Sequence, residues 1–255
     1  MKGIIAIARR EILSFFVSPV AYMVLTGFML LGGYFFIWYL SQFNLALLRA
    51  QQMPFMQQQT FGLNEIVEGY YRTLLLFLVF MVPLITMRLI AEEKRKGTFE
   101  LLITSPVSVA AIVVGKYLGA SLTVFLMLAL AAVFPALLTF YADPEIPPML
   151  IGFLGIFLCA LSFAAISMAI SSFTENQMIG GILSIVVLLL LYVISGIAET
   201  VGGVLGAFLK FLSPMDQSDD FLKGVITTRG LIYFASLISI GIFISLRSVE
   251  MHRYR

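Results

Sequence analysis

The densest group of ionisable residues in the chain is Glu92–Lys96, which follows the second long apolar segment. Gly97 comes next, and glycine can end a helix or adopt a positive φ without steric cost. Thr98 can then cap a second short helix, which has Glu100 in its first turn and stops before Pro106. The pattern predicts a helix, a break at Gly97 and a short amphipathic helix. Such an element could dock a partner protein, although an ordinary positively charged loop would have much the same composition.

Catalytic patterns are missing from the sequence. A nucleotide-binding loop needs Gly-x-x-x-x-Gly-Lys-Ser/Thr, but the one Gly-Lys pair, Gly115-Lys116, is followed by Tyr117, and Ala110 stands at the earlier glycine position. His252 is the only histidine and Cys159 the only cysteine, so no Cys/His metal cluster and no internal disulfide can form. We therefore expect no ATPase site in this chain, and no metal or cofactor bound by it.

The composition of the chain indicates what kind of elements position the charged segment Glu92–Lys96. Of the 255 residues, 60% are hydrophobic and 12% charged, against roughly 45–50% and about 25% in soluble domains. Long apolar segments in lipid become helices because every backbone group must bond internally. The sequence predicts an all-α integral membrane protein, a single domain over residues 1–255, with six spans. The spans are expected at about Pro19–Leu40, Tyr71–Ile90, Val109–Tyr141, Met149–Ser171, Met178–Ala198 and Gly230–Leu246. A net charge of only +2 gives no sign of a basic surface that would bind nucleic acid.

The distribution of basic residues predicts the orientation. With a cytoplasmic N-terminus, most of the 16 Lys and Arg residues fall in cytoplasmic segments, as the positive-inside rule requires, and the C-terminus returns to the same side. The third span is longer than the bilayer needs, so its first turns, with Lys116, are expected below the membrane surface, and Pro135 is expected to kink its far end. Arg72, Arg88 and Glu199 also lie at span ends, where snorkelling accounts for them as well as function does.

The segment Gly3–Val17 has an amphipathic pattern. Ile5, Ile12 and Phe16 can share one face, while Arg9–Glu11 are expected to stay in a polar environment. We expect an interfacial helix on the cytoplasmic leaflet that ends before Pro19; the alternative is a simple cytoplasmic flank of the first span. The apolar run that follows is too long for the core of a cleaved signal peptide.

Two loops on the outer side differ in kind. Ser41–Gly69 is polar and is expected to be an external excursion with some helix. Glu199–Arg229 is partly apolar but too short to cross the membrane twice, so a re-entrant or interfacial helical hairpin would satisfy its backbone. Small residues recur at Gly115–Gly119 and Gly202–Gly206, and this spacing favours packing or turn roles.

The charged segment also resembles a family signature. Glu92-Glu-Lys-Arg-Lys-Gly97-Thr-Phe-Glu100-Leu-Leu-Ile-Thr-Ser-Pro-Val107 is similar to the pattern that follows the second span in ABC-2 type transporter permeases. Phe211-Leu-Ser-Pro-Met and Phe221-Leu-Lys-Gly-Val-Ile resemble the segment before the last span in gliding-motility (GldF-like) and nitrous-oxide-reductase maturation (NosY-like) permeases. Together with the six spans, the resemblance covers nearly the whole chain.

The resemblance implies a half-transporter in a prokaryotic cell membrane. Two six-span subunits, identical or homologous, would enclose a path, and two copies of a separate ATP-binding subunit would dock on their cytoplasmic loops and supply ATP and Mg. A further subunit with a periplasmic domain is possible. The coupling contact would fall on Glu92, Glu93, Lys94, Arg95, Gly97, Thr98 and Glu100. A second cytoplasmic contact would fall on Thr174, Glu175 and Asn176.

Within this framework the acidic residues of the coupling loop could meet basic groups on the ATPase, and Lys94–Lys96 could hold the helix at anionic headgroups. The competing hypothesis is a membrane protein without an ATPase, either a secondary carrier or an anchor of a larger envelope complex. The absence of a carboxylate in the middle of any span argues against a proton-coupled carrier. The transported substrate is not specified by any of these residues.

Overall fold

A computed structural model describes residues 2–52, 62–95, 97, 108–142 and 144–253. All regular elements of these described residues are α-helices. In chain order they are α1 (Lys2–Val17), α2 (Pro19–Gln52), α3 (Leu63–Thr86), α4 (Arg88–Arg95), α5 (Val109–Ala131), α6 (Val133–Tyr141), α7 (Ile146–Ser172), α8 (Gln177–Val201), α9 (Gly203–Leu212), α10 (Pro214–Leu222) and α11 (Thr228–Arg253).

Six helical segments are long and apolar enough to cross a membrane, which confirms the predicted fold class. They are Pro19–Arg49, Leu63–Arg95, Val109–Tyr141, Ile146–Ser172, Gln177–Val201 and Thr228–Met251. The first extends past Leu40, and the second begins before Tyr71, so both project beyond the apolar runs that predicted them. Six crossings bring the start of α1 and the end of α11 to the same side, here called the N-terminal side.

Two of these segments contain a proline and are interrupted. Pro135 has no N–H to donate to the carbonyl four residues earlier, Ala131, and the chain breaks there into α5 and α6. The Tyr70 hydroxyl donates to this carbonyl at 3.0 Å, so the buried acceptor is satisfied by α3. The expected kink is therefore present. In the second span Pro83 lies inside α3, and the helix gives way to α4 at Met87.

The core is built around α7, which packs against α3, α5, α8, α10 and α11. Small residues permit these contacts. A Cβ at Gly152 would lie 2.9 Å from the Tyr71 ring, and one at Gly155 would clash with Cβ of Phe221. The large exposed side chains of α2 and α8 lie on the outside of this arrangement, where lipid satisfies an apolar surface.

Two short helices fill the region between the fifth and sixth spans, as the sequence predicts. Gly202 and Gly203 both have φ of +61°, a conformation that favours glycine, and the chain reverses there. α9 then packs back on the end of α8, where a Cβ at Gly206 would lie 2.7 Å from the Ala198 carbonyl oxygen. α10 is held to α3 by an ion pair between Arg72 and Asp219 at 2.9 Å.

The N-terminal helix α1 packs lengthwise on α5 through the two glycines at Gly115–Gly119. A Cβ at Gly115 would lie 2.9 Å from Cβ of Ile7, and one at Gly119 would lie 2.7 Å from Cβ of Glu11. This confirms a packing role for the glycine pair. Glu11 turns toward α5, and Ile5 on the predicted apolar face is 66% exposed. Glu11 is in a polar environment there, as predicted, because Lys116 of α5 forms an ion pair with it at 2.8 Å.

Candidate functional site

The charged segment after the second span begins as the helix α4. Glu92, Glu93, Lys94 and Arg95 belong to this helix, and Gly97 follows with φ of +69°, which confirms that the glycine adopts a positive φ. Thr98 and Glu100, with the short helix expected there, lie outside the described residues. The part of the predicted coupling segment that the structure describes is therefore an extension of the second span.

Glu93 points into the protein and joins three helices. Its Oε1 accepts a hydrogen bond from Nη2 of Arg10 in α1 at 2.9 Å, and its Oε2 lies 2.9 Å from Nζ of Lys116 in α5. Lys116 in turn lies 2.8 Å from Oε1 of Glu11. We call Arg10, Glu11, Glu93 and Lys116 the charge cluster. It ties α4 to both α1 and α5 through alternating charges.

Burial makes the charge cluster energetically important. Lys116 is 2% exposed and Glu93 is 7% exposed, so neither charge can be screened well by water. Removing one partner from a buried ion pair typically costs about 3–5 kcal/mol, because the remaining charge loses its compensation. The three helices are therefore expected to keep their relative positions while the charge cluster is intact, and a displacement of α4 would be transmitted to α1 and α5.

A polar cavity of about 240 Å³ adjoins the charge cluster. Arg88 and Glu92 line it from the second span, and Ser14 lines it from α1. The Arg88 guanidinium also lies over the Phe15 ring, 4.8 Å from its centroid, so α1 is held to the second span by a cation–π contact as well. The cavity leaves room beside α4 for water or for a shift of side chains.

The end of α7 provides a second set of contacts to α4. Nζ of Lys94 donates to the Ser172 carbonyl at 2.6 Å, and the Ser248 hydroxyl of α11 donates to the same oxygen at 2.9 Å. The Ser171 hydroxyl donates to the Met87 carbonyl at 2.9 Å. Since Met87 marks the break between α3 and α4, the Ser171 bond fixes the start of α4 against α7, and the Lys94 bond fixes its last turn. The Ser248 bond ties α11 to the same end of α7.

Thr174, Glu175 and Asn176 form the turn that follows α7. The Thr174 hydroxyl accepts from the Asn176 backbone N–H at 3.1 Å, and the Asn176 side chain caps α8 by accepting from the N–H of Met178 at 3.0 Å. Glu175 is exposed and acts electrostatically on Lys94. The two segments predicted as separate contacts are therefore brought together on the N-terminal side.

The charge cluster was not anticipated in the sequence, although one signal for it was present. Lys116 stands inside a long apolar run, and an ionisable residue within a span usually has a partner or a function. Snorkelling was the expected explanation, but Lys116 is buried instead. Glu11 and Arg10 gave no separate signal. Among the described residues no group of three or more His, Cys, Asp or Glu could hold a metal ion.

Comparison with known proteins identifies the family of the chain. A family model described as ABC-2 family transporter protein matches residues 42–244, which is more than half of the chain. A search of curated proteins gives no match. The match takes in α4, Lys116 and the turn after α7, while Arg10 and Glu11 lie before its first residue. The chain belongs to the ABC-2 family of transporter proteins and is a multi-pass member of it.

Proposed function

We propose that this chain is the permease subunit of an ATP-driven exporter and that a separate ATP-binding subunit docks on its N-terminal side. Family membership supports the permease role. The observation that supports this docking site is the bond from Lys94 to the Ser172 carbonyl, because it joins α4 to the turn at 173–176 in one surface. Phe173 is 64% exposed in this turn, beside the exposed Glu175, which provides an apolar anchor with a charge next to it.

The contacts of α4 provide a route by which ATP hydrolysis in the partner would be coupled to movement of the permease. ATP-driven closure of the partner would push on Gly97 and the segment after it, and the force would reach α4 directly. Glu93 would carry the displacement to α1 through Arg10 and to α5 through Lys116. In this proposal Glu93 acts within the permease, whereas Glu92, Glu100 and Glu175 are the acidic groups offered to the ATPase.

We also propose how the chain is oriented in the membrane and which subunits complete the transporter. The N-terminal side faces the cytoplasm, where ATP is available and where the positive-inside rule puts most basic residues. Two copies of the ATP-binding subunit and a second six-span subunit complete the transporter, which moves its substrate outward or performs conformational work across the membrane. The relation to gliding-motility and nitrous-oxide-reductase maturation permeases belongs to this proposal as well.

Co-purification tests the partner. The tagged full-length chain, extracted from native membranes with mild detergent, should carry an ATP-binding subunit with it. Recovery of the permease without any such subunit would favour the alternative of an ATPase-independent carrier or membrane anchor.

Two variants test the docking segment. Gly97→Val forces a β-branched residue into a φ of +69°, and Glu100→Lys reverses a charge offered to the ATPase. Both should lower the substrate-coupled ATPase rate of the reconstituted complex by roughly tenfold, the effect of about 1.4 kcal/mol, while membrane insertion stays intact. Gly62→Val is the matched control, because Gly62 has φ of −74° and open space around it on the opposite side. Normal coupled turnover in both docking variants would remove this segment from the mechanism.

A further inference from the structure

A cleft of about 290 Å³ lies on the opposite side of the bundle from the charge cluster, between the end of α2 and the start of α3. Trp38, Tyr39 and Phe43 provide aromatic walls, and Gln42 adds an amide. Arg49 and Glu65 bring opposite charges to the same cleft from the two helices. Neither the fold nor the proposed transport function accounts for this combination of side chains.

Tyr39, which lines the cleft, packs closely on α3. A Cβ at Gly69 would lie 2.6 Å from Cε1 of Tyr39, so the glycine lets the Tyr39 ring lie directly on α3. The Tyr39 hydroxyl also shares a hydrogen bond with the Thr73 hydroxyl at 3.0 Å. Gln42, Phe43 and Arg49 lie beyond this contact toward the end of α2, and Glu65 lies at the start of α3.

The aromatic end of the cleft lies at the level where the hydrocarbon core meets the lipid headgroups. A helical rise of 1.5 Å per residue puts Trp38 about 28 Å along α2 from Pro19, close to the full hydrocarbon thickness of about 30 Å. Trp and Tyr collect at this level in membrane proteins. Trp38 is 44% exposed, and Leu30, Tyr34 and Ile37 continue an exposed apolar stripe from it into the membrane. An acyl chain could follow this stripe directly to the cleft.

The charges identify the headgroup. Neither Arg49 nor Glu65 has an ion-pair partner among the residues that the structure describes. A guanidinium recognises phosphate through charge-assisted hydrogen bonds, whereas a carboxylate accepts bonds from a primary ammonium, which an aromatic face also attracts. We propose that the cleft binds a phospholipid whose headgroup carries both a phosphate and a primary ammonium, with Arg49 on the phosphate and Glu65 on the ammonium.

The single tryptophan makes the proposal directly testable. Trp38 is the only Trp in the chain, so tryptophan fluorescence, excited selectively over that of tyrosine, reports on this residue alone. The full-length protein is reconstituted in phosphatidylcholine vesicles containing equal mole fractions of acyl-brominated phosphatidylethanolamine, phosphatidylcholine or phosphatidylglycerol, and quenching of Trp38 is compared. We expect the ethanolamine lipid to occupy the cleft roughly fivefold more than the others, which corresponds to about 1 kcal/mol.

Charge-removing variants complete the test. Glu65→Gln should bring quenching by the ethanolamine lipid down to the phosphatidylcholine level, because it removes the partner of the primary ammonium. Arg49→Gln should lower quenching by all three lipids, because each of them carries the phosphate. Arg229→Gln is the matched control, since Arg229 contacts the Phe211 ring outside the cleft and its loss should leave the preference unchanged. Equal quenching by all three lipids in the wild type would mean that Trp38 contacts only ordinary annular lipid, and this would overturn the proposal. A preference for the anionic phosphatidylglycerol, or no quenching by any lipid, would overturn it as well.

Discussion

Replacing Lys116 with methionine tests whether the charge cluster holds the N-terminal side together. The ammonium of Lys116 lies 2.8 Å from Glu11 and 2.9 Å from Glu93, and its side chain is 2% exposed. Methionine has a similar length and fills much the same space, so the packing around position 116 should change little. The variant therefore removes a charge with little change in volume.

The expected cost follows from the charges left behind. Each contact of Lys116 contributes roughly 6 kcal/mol of attraction at an effective dielectric constant of about 20, most of which is offset by desolvation of the ammonium. In Lys116→Met the carboxylates of Glu11 and Glu93 face each other without a cation between them, and Glu93 retains Arg10. We expect a loss of about 3 kcal/mol in unfolding free energy, the lower end of the range for a broken buried pair.

Equilibrium unfolding of the detergent-solubilised protein measures this loss. Lys116→Met combined with Glu11→Gln and Glu93→Gln should recover most of the stability, because no uncompensated buried charge remains and Arg10, which is 58% exposed, can be solvated by water. The triple variant should nevertheless show weakened coupling of ATP hydrolysis to transport, since α4 is no longer tied to α1 and α5. A loss below about 1 kcal/mol in Lys116→Met would refute the argument, because that is the value of an exposed pair.

Three further perturbations address individual contacts. Gly119→Val should detach α1 from α5 and lower thermal stability, whereas Gly27→Ala, which has open space around its Cβ position, should not; equal effects would contradict the packing role. Tyr70→Phe leaves the Ala131 carbonyl without its side-chain donor and should cost about 1–3 kcal/mol in unfolding free energy; a neutral result would mean that this acceptor finds another donor. Burial raises the pKa of Asp219 above 3.8, so the folded state binds this proton more tightly and stability falls as the pH rises through the raised pKa. Asp219→Asn should therefore flatten the dependence of the melting temperature on pH, and an unchanged curve would exclude Asp219 as its source.

The sequence by itself determined the membrane class, the six spans and several local breaks. Apolar runs of this length have few alternatives to helices in lipid, because the bilayer offers no partner for a backbone N–H or C=O. Local chemistry also fixed the break at Pro135 and the positive φ at Gly97, since a missing N–H and a missing Cβ act within a few residues. The span ends were less predictable, because polar residues can continue a helix beyond the apolar run, as they do after Leu40.

Only the tertiary structure decided which charges meet. Glu11, Glu93 and Lys116 belong to three helices that are far apart in the chain, and helical periodicity does not specify how those helices are rotated about their axes. The rotation of α1 was decided by Gly119, which permits the close approach, and by Lys116, which needs a carboxylate once it is buried. For the same reason the donor that satisfies the carbonyl freed by Pro135 could not be anticipated, because Tyr70 reaches it from a different span.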